Sequence, residues 1–172
     1  MGQNRLVAGA KGPSVNGLFV AAWLVLLDQV AKLMAHMWLL PRGDSITVVP
    51  GVLDLTYVLN DGAFFSLLRG FRVGFLLLTV PAVALLLVLL FHKKYRVQGW
   101  GYVAVVLLLA GAVGNVIDRA LYGYVVDMFE FTFVRFAIFN VADICISCGG
   151  VLFAGLMLFG KIKLPWDEKH AK

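Results

Sequence analysis

Charge is what this chain has least of. Charged residues make up 15% of it, against about 25% in an ordinary soluble domain, so a water-surrounded globule is excluded. Cysteine is nearly missing as well. Cys145 and Cys148 form a single C-x-x-C on an apolar stretch, with no second pair and no histidine nearby in sequence, which leaves redox or zinc chemistry unsupported. The three histidines, His36, His92 and His170, lack ligand spacing, and neither H-E-x-x-H nor G-x-S-x-G occurs. No internal repeat and no low-complexity stretch is present.

What is present is long apolar sequence. Hydrophobic residues reach 61% and mean hydropathy is +0.89, values that place the chain in a bilayer, where each helical span needs about 17 to 25 apolar residues. Four candidate spans cover residues 17–38, 73–91, 97–117 and 138–160. The second and third carry no charged residue. The first has a clean run from Leu18 to Leu27, then Asp28 and a mixed stretch through Lys32 toward Pro41; the fourth is apolar apart from Asn140 and Asp143. A cleavable signal peptide is the rival reading of the first, since Arg5 and Lys11 precede a short apolar core. No small-x-small site follows Leu27, and Asp28 with Lys32 continues the helical pattern. Pro81 marks a kink in the second span.

The expected fold class is therefore an all-α polytopic membrane protein with four transmembrane helices, a small extracytoplasmic β element and an interfacial segment, forming a single integral membrane domain over residues 1–172. Lys and Arg orient it. Nine of the 15 basic residues fall at the termini and in the 93–96 loop, and eight of the ten acids fall on the opposite side. Both termini are thus expected in the cytoplasm, with outward loops at about 39–72 and 118–137. The net charge of +5 reads as topology rather than nucleic-acid binding. Residues 1–16 are polar and expected to be mobile. In the first outward loop, Ile46 to Val49 is β-prone, Pro50-Gly51 signals a turn, and Leu53, Leu55, Tyr57 and Leu59 alternate with the period of a half-buried strand. Asn60-Asp61-Gly62 breaks that pattern, and Ala63-Phe64-Phe65 offers aromatic bulk for the membrane interface. The second outward loop is expected to lie along the interface.

Acids inside or beside such spans are costly and mark functional sites. Asp28 and Lys32, spaced i and i+4, are expected to form a structural ion pair. Gly111, Gly114, Asn115, Asp118 and Arg119 share a helix face, where Asp118 with Arg119 is either an interfacial ion pair or the setting of a functional arginine. Asn140 and Asp143, spaced i and i+3, point one way. Asp127 and Asp143 have no cation at helical spacing. They are either unrelated boundary acids solvated by headgroups, or a pair whose mutual repulsion keeps one protonated, so that together they activate water as base and acid.

Five motifs, Asp28-Gln29-Val30-Ala31-Lys32, Asn60-Asp61-Gly62-Ala63-Phe64-Phe65-Ser66, Ala110-Gly111-Ala112-Val113-Gly114-Asn115-Val116-Ile117-Asp118-Arg119, Val125-Val126-Asp127 and Phe139-Asn140-Val141-Ala142-Asp143, resemble in their order those of the bacterial lipoprotein signal peptidases, the signal peptidase II family. The resemblance implies an intramembrane aspartic endopeptidase that cuts signal peptides from prolipoproteins just before a diacylglyceryl-modified cysteine. It implies Asp127 and Asp143 as catalytic dyad. Asn60, Gly62, Gly114, Asn115, Arg119, Asn140 and Ala142 would bind substrate or support the site, with Asp28, Lys32 and Asp118 as structural support. It further implies no metal and no organic cofactor, and a location in the bacterial inner membrane with the site toward the extracytoplasmic face. The expected partners are lipidated prolipoproteins and membrane lipids, with no nucleic acid and no obligate protein partner. Asp61 and Ala110 depart from the family pattern, which more often has a small polar residue and a glycine there. Two rivals remain: a Ser/Lys peptidase using Lys32 with Ser66, and a small transporter whose acids form a relay.

Overall fold

The computed structural model describes residues 15–42, 45–62, 72–92 and 97–160. In hydrocarbon each backbone amide must find its partner inside its own segment, and the apolar runs accordingly become helices: α1 Val15–Trp38, α2 Arg72–Phe91, α3 Trp100–Leu121 and α4 Val141–Leu158. All four are long and apolar enough to cross a membrane. Their outward faces carry large bare apolar side chains, with Leu77, Val151 and Leu158 at 69%, 76% and 86% exposure, a surface suited to lipid rather than water. α2 runs through Pro81.

The bounds differ from the sequence expectation where polar residues cap or extend a helix. α3 continues to Leu121, past the apolar run that ends at Ile117, so Asp118 and Arg119 keep the helix face expected for them. α4 starts at Val141 because Asn140 caps it: the Asn140 side chain accepts from the Asp143 N–H, and the Asp143 side chain accepts from the Asn140 N–H. This capping box rigidifies the segment that carries both residues.

α3 is the central helix. Half of its apolar stretch is buried, against 17–22% for the other three, and it packs against all of them. Close approach to α4 depends on small residues. A Cβ at Gly111 would collide with the Ala142 carbonyl oxygen and lie 3.0 Å from the Ile146 nitrogen. The two cysteines of α4 are free, Cys145 buried and Cys148 exposed.

A three-stranded antiparallel sheet, ordered β1 (Ser45–Val49), β2 (Leu53–Asn60), β3 (Val125–Phe131), sits at the end of the bundle where α4 begins. The expected Pro50-Gly51 turn joins the first two strands, with the Val52 N–H donating to the Val49 carbonyl and Gly51 at φ 73°. The third strand corrects the sequence reading. The second outward loop was expected to lie along the interface; instead Val125–Phe131 pairs with β2. Its register sets Val58 opposite Asp127 and Asn60 opposite Val125, after a shift between Leu55 and Val58. Beyond β3 the chain doubles back, and Phe139 exchanges backbone hydrogen bonds with Phe129 before α4 starts. The sheet rests on the far end of α1, where Ala35 and Leu39 pack with Val126 and Met128. Trp38 lies ten residues beyond Asp28, about 15 Å of helix, so α1 forms a mast alongside the sheet. The expectations placed on residues 1–14, on Phe64, Phe65 and Ser66, and on the basic 93–96 and 161–172 segments lie outside the described residues.

Gly111→Ala should therefore prise α4 from α3 and lower stability by roughly 1–3 kcal/mol. Gly150→Ala, where an added Cβ meets open space, should leave the thermal unfolding midpoint in detergent unchanged.

Candidate active site

Lys32 occupies the junction of the bundle, 3% exposed. A buried ammonium costs several kcal/mol unless its three N–H groups find acceptors. Here they do: Asp28 Oδ2 at 2.7 Å, Asp118 Oδ2 at 2.8 Å and Asn115 Oδ1 at 3.1 Å. The expected Asp28–Lys32 pair thus forms. The proposed Asp118–Arg119 pair does not, because successive residues on a helix do not face each other. Asp118 turns to Lys32, and Arg119 donates instead to the Gly62 carbonyl at 2.9 Å while its guanidinium lies 4.9 Å from the Phe75 ring centroid.

Each carboxylate of this cluster also reaches a second element. Asp28 Oδ1 accepts the Ala142 N–H at 2.8 Å, one of the free amides of the α4 N-terminus. Gly114 lets it pass, since a Cβ there would stand 2.8 Å from Asp28 Oδ2 and 3.1 Å from the Ala142 Cβ. Asp118 Oδ2 accepts the Val126 N–H of β3 at 3.4 Å. Gln29, which has no role expected from the sequence, donates through Nε2 to Asp118 Oδ1 at 2.9 Å, Asp28 Oδ2 at 3.2 Å and the Gly114 carbonyl at 3.3 Å. Its signal was the position next to Asp28 on an otherwise apolar helix.

Beyond this cluster lie the two carboxylates that lack a cation in sequence. Asp127 comes from strand β3 and Asp143 from the first turn of α4. Three asparagines hold them. Asn60 Nδ2 donates to Asp127 Oδ2 at 2.9 Å, Asn140 Nδ2 to Asp127 Oδ1 at 2.7 Å, and Asn115 Nδ2 to Asp143 Oδ1 at 2.8 Å. The amide orientations follow from the other ends. Asn60 Oδ1 accepts the Gly62 N–H at 3.0 Å, Asn140 Oδ1 accepts the Asp143 N–H at 2.9 Å, and Asn115 Oδ1 accepts from Lys32. With each oxygen committed to a donor, each NH2 must face a carboxylate. Asn140 bridges the pair, because its backbone N–H also donates to Asp143 Oδ2 at 3.2 Å.

Asn60, Asn115, Arg119, Asp127 and Asp143 line one small cleft of about 60 Å³, room for a few waters. Gly62 borders it through its carbonyl on Arg119. Asn140, fully buried, lies behind the pair; Gly114, Ala142, Asp28 and Asp118 belong to the helix junction. Of the two departures, Ala110 is buried in the apolar core around Leu109 and Val106 and Asp61 is exposed at the end of β2. Among the described residues no group of three or more His, Cys, Asp or Glu is placed to hold a metal ion. The Asp127 carboxyl is pushed up to about 6, chiefly by burial, against the lowering hydrogen bond from Asn60 and with the nearby Asp143 charge adding to the rise.

Two outcomes follow. Lys32→Met would strand two buried carboxylates, a loss of about 3–5 kcal/mol, measurable as a collapse of the thermal midpoint in detergent. For Asp127, the folded state keeps its proton to about pH 6 and the unfolded state only to 3.8. Stability is therefore lost as pH rises across that window, by about 3 kcal/mol in total. The stability of the parent relative to Asp127→Asn should fall by that order between pH 4 and 6.5.

The chain as a whole is similar to known proteins. A family model described as signal peptidase (SPase) II matches residues 20–159. The lipoprotein signal peptidase of Latilactobacillus sakei subsp. sakei (strain 23K) is 44% identical over 151 residues, covering 84% of this chain and 97% of its own. That of Enterococcus faecalis (strain ATCC 700802 / V583) is 40% identical over 154 residues, covering 89% of each chain. A solved bacterial membrane enzyme superposes with a TM-score of 0.75 at 32% identity, over 85% of this chain and 89% of its own. The chain belongs to the signal peptidase II family and is an aspartic peptidase.

Proposed function

We propose that Asp127 and Asp143 are the dyad with which this lipoprotein signal peptidase removes signal peptides from prolipoproteins, cutting before the diacylglyceryl-modified cysteine. The observation that carries the reading is the shared grip of Asn140 on both carboxylates at the edge of a cleft that admits water. One carboxylate takes a proton from that water while the other, protonated, gives its proton to the scissile carbonyl oxygen. A gem-diol forms without a covalent enzyme intermediate. Its collapse returns a proton to the leaving amine. Neutral amide donors suit this chemistry, because they orient the carboxylates without supplying the full positive charge that would favour ionisation of both.

The chain acts as one integral membrane unit in the bacterial inner membrane, with both termini cytoplasmic and the cleft on the extracytoplasmic side; the distribution of Lys and Arg supports that orientation. The lipid anchor of the substrate stays among the acyl chains while the scissile bond reaches the cleft mouth. Arg119 is positioned by the Gly62 carbonyl to meet substrate carbonyl groups, and the aromatic cluster of Phe131, Phe133, Phe136 and Phe139, with centroids 5.2–6.1 Å apart, offers an apolar flank. The Ser/Lys alternative is disfavoured because all three N–H directions of Lys32 are committed.

The test uses purified protein in detergent with a diacylglyceryl-modified prolipoprotein. Asp127→Asn and Asp143→Asn should each lower cleavage on the order of 10²- to 10⁴-fold while remaining folded. Full cleavage by either variant would remove that residue from the dyad, and loss of cleavage only in Lys32→Ala and Ser66→Ala would favour the serine mechanism.

A further inference from the structure

A second cavity, larger than the dyad cleft, opens on the other side of the Lys32 cluster. It measures about 260 Å³ and lies between α1, the end of α3 and the strands. That is close to the lower bound of small-molecule sites. Its floor is formed by Gln29, Lys32 and Asp118, and its walls by Tyr57, Tyr122 and Tyr124. Nothing in the peptidase chemistry uses it.

The chemistry of the floor is unbalanced toward acceptors. One carboxylate, Asp118, lines the cavity beside the Lys32 ammonium, and Asp28 pairs with the same ammonium from behind it, so two carboxylates face one cation at the inner end of the cavity. Lys32 has no N–H left to offer a ligand. Gln29 Nε2 is spent on Asp118, Asp28 and the Gly114 carbonyl, which turns Gln29 Oε1 away from the carboxylates as an acceptor with no donor among the described residues. The walls add aromatic faces: Tyr122 and Tyr124 stack with centroids 5.9 Å apart and planes at 24°. His36, at the rim, is engaged by the Tyr57 hydroxyl at 2.8 Å. An anion would find no uncommitted lysine or arginine lining this space. A cation would find the Asp118 carboxylate, an amide oxygen and the π-faces of the tyrosines, the elements that recognise organic ammonium groups.

The mouth lies where lipid would reach it. Leu33, also lining the cavity, is 57% exposed, and Leu121, next to Tyr122, is 66% exposed. These apolar side chains would flank an alkyl chain attached to a group seated inside.

We propose that this cavity is a binding site for an alkylammonium group, such as the ethanolamine headgroup of a phospholipid or a free amine of similar size. The site is distinct from the dyad cleft and its occupancy does not depend on cleavage. The test is native mass spectrometry of the full chain released from a nonionic detergent, after incubation with phosphatidylethanolamine or phosphatidylglycerol of matched acyl chains. Retention of the ethanolamine lipid should exceed that of the glycerol lipid by about tenfold, and Tyr122→Ala should reduce it about fivefold, while Tyr122→Phe, which keeps the ring, should retain it. Tyr122 is itself 59% exposed, so its replacement leaves the core intact. Gln29→Leu, which removes the free acceptor, should weaken retention as well, and Asp143→Asn should leave it unchanged. Competition by free ethanolamine would identify a site open to soluble amines, and its failure a site that takes the headgroup only with its chains; either supports an ammonium site. Equal retention of both lipids, or a Tyr122→Ala variant that binds like the parent, would overturn it, and neither result would bear on the dyad.

Discussion

Everything around the cleft depends on the ammonium of Lys32 being buried and fully paired. Removing such a group from water costs several kcal/mol, and the cost is met only if three acceptors converge on it. They come from α1 and α3, so the relation between these two helices is set by that requirement as much as by apolar packing. The acceptors then reach onward. Asn115, its oxygen held by Lys32, has to present its NH2 to Asp143. Asp118, held by Lys32 and Gln29, receives the backbone of β3 at the residue next to Asp127. Asp28 receives the first turn of α4 next to Asp143. Both members of the pair are therefore located by one buried cation that touches neither.

The use of asparagine at the pair itself follows the same logic on a smaller scale. A lysine or arginine in direct contact would favour the ionised form of both carboxylates, whereas the acid–base role proposed for the pair needs one proton retained. An amide donor fixes the position of an oxygen with less bias toward its charge. The three asparagines are each anchored at the far end by a backbone N–H or by Lys32, which removes the freedom of the amide to turn. Burial then supplies the upward pressure on Asp127. Orientation and proton affinity are thus set by different parts of the structure, the amides fixing one and the low-dielectric surroundings the other.

The site also joins two kinds of scaffold. One carboxylate stands on a helix that begins at the bundle end, and the other on a strand made from a loop more than a dozen residues earlier. The Phe129–Phe139 backbone pairing and the Asn140 cap tie the strand to the helix, so the pair exists only when sheet and bundle are docked. A strand supported on one side by α1 and on the other by β2 has little freedom to drift, which suits a geometry that must hold to within a fraction of an ångström.

Sequence alone determined the four spans, the first two strands, the turn at Pro50-Gly51 and the Asp28–Lys32 pair, because each of these is a local pattern: apolar length, a period of two, a Pro-Gly step, a spacing of four. The ordered motifs also carried the family. The third strand was missed because Val125–Phe131 mixes acids with aromatics and becomes a strand only by pairing with β2, 67 residues away at the Asn60–Asp127 contact. The capping box at Asn140 is carried by a local spacing, Asn140 with Asp143 three residues on. Tertiary structure alone decided that Asp118 binds Lys32 rather than its neighbour Arg119, that Gln29 belongs to the cluster, and that three asparagines turn their NH2 groups onto two carboxylates. The reason is physical: a local pattern fixes the direction a side chain leaves its helix or strand, whereas the partner it meets is fixed by which other elements the packing brings to that face.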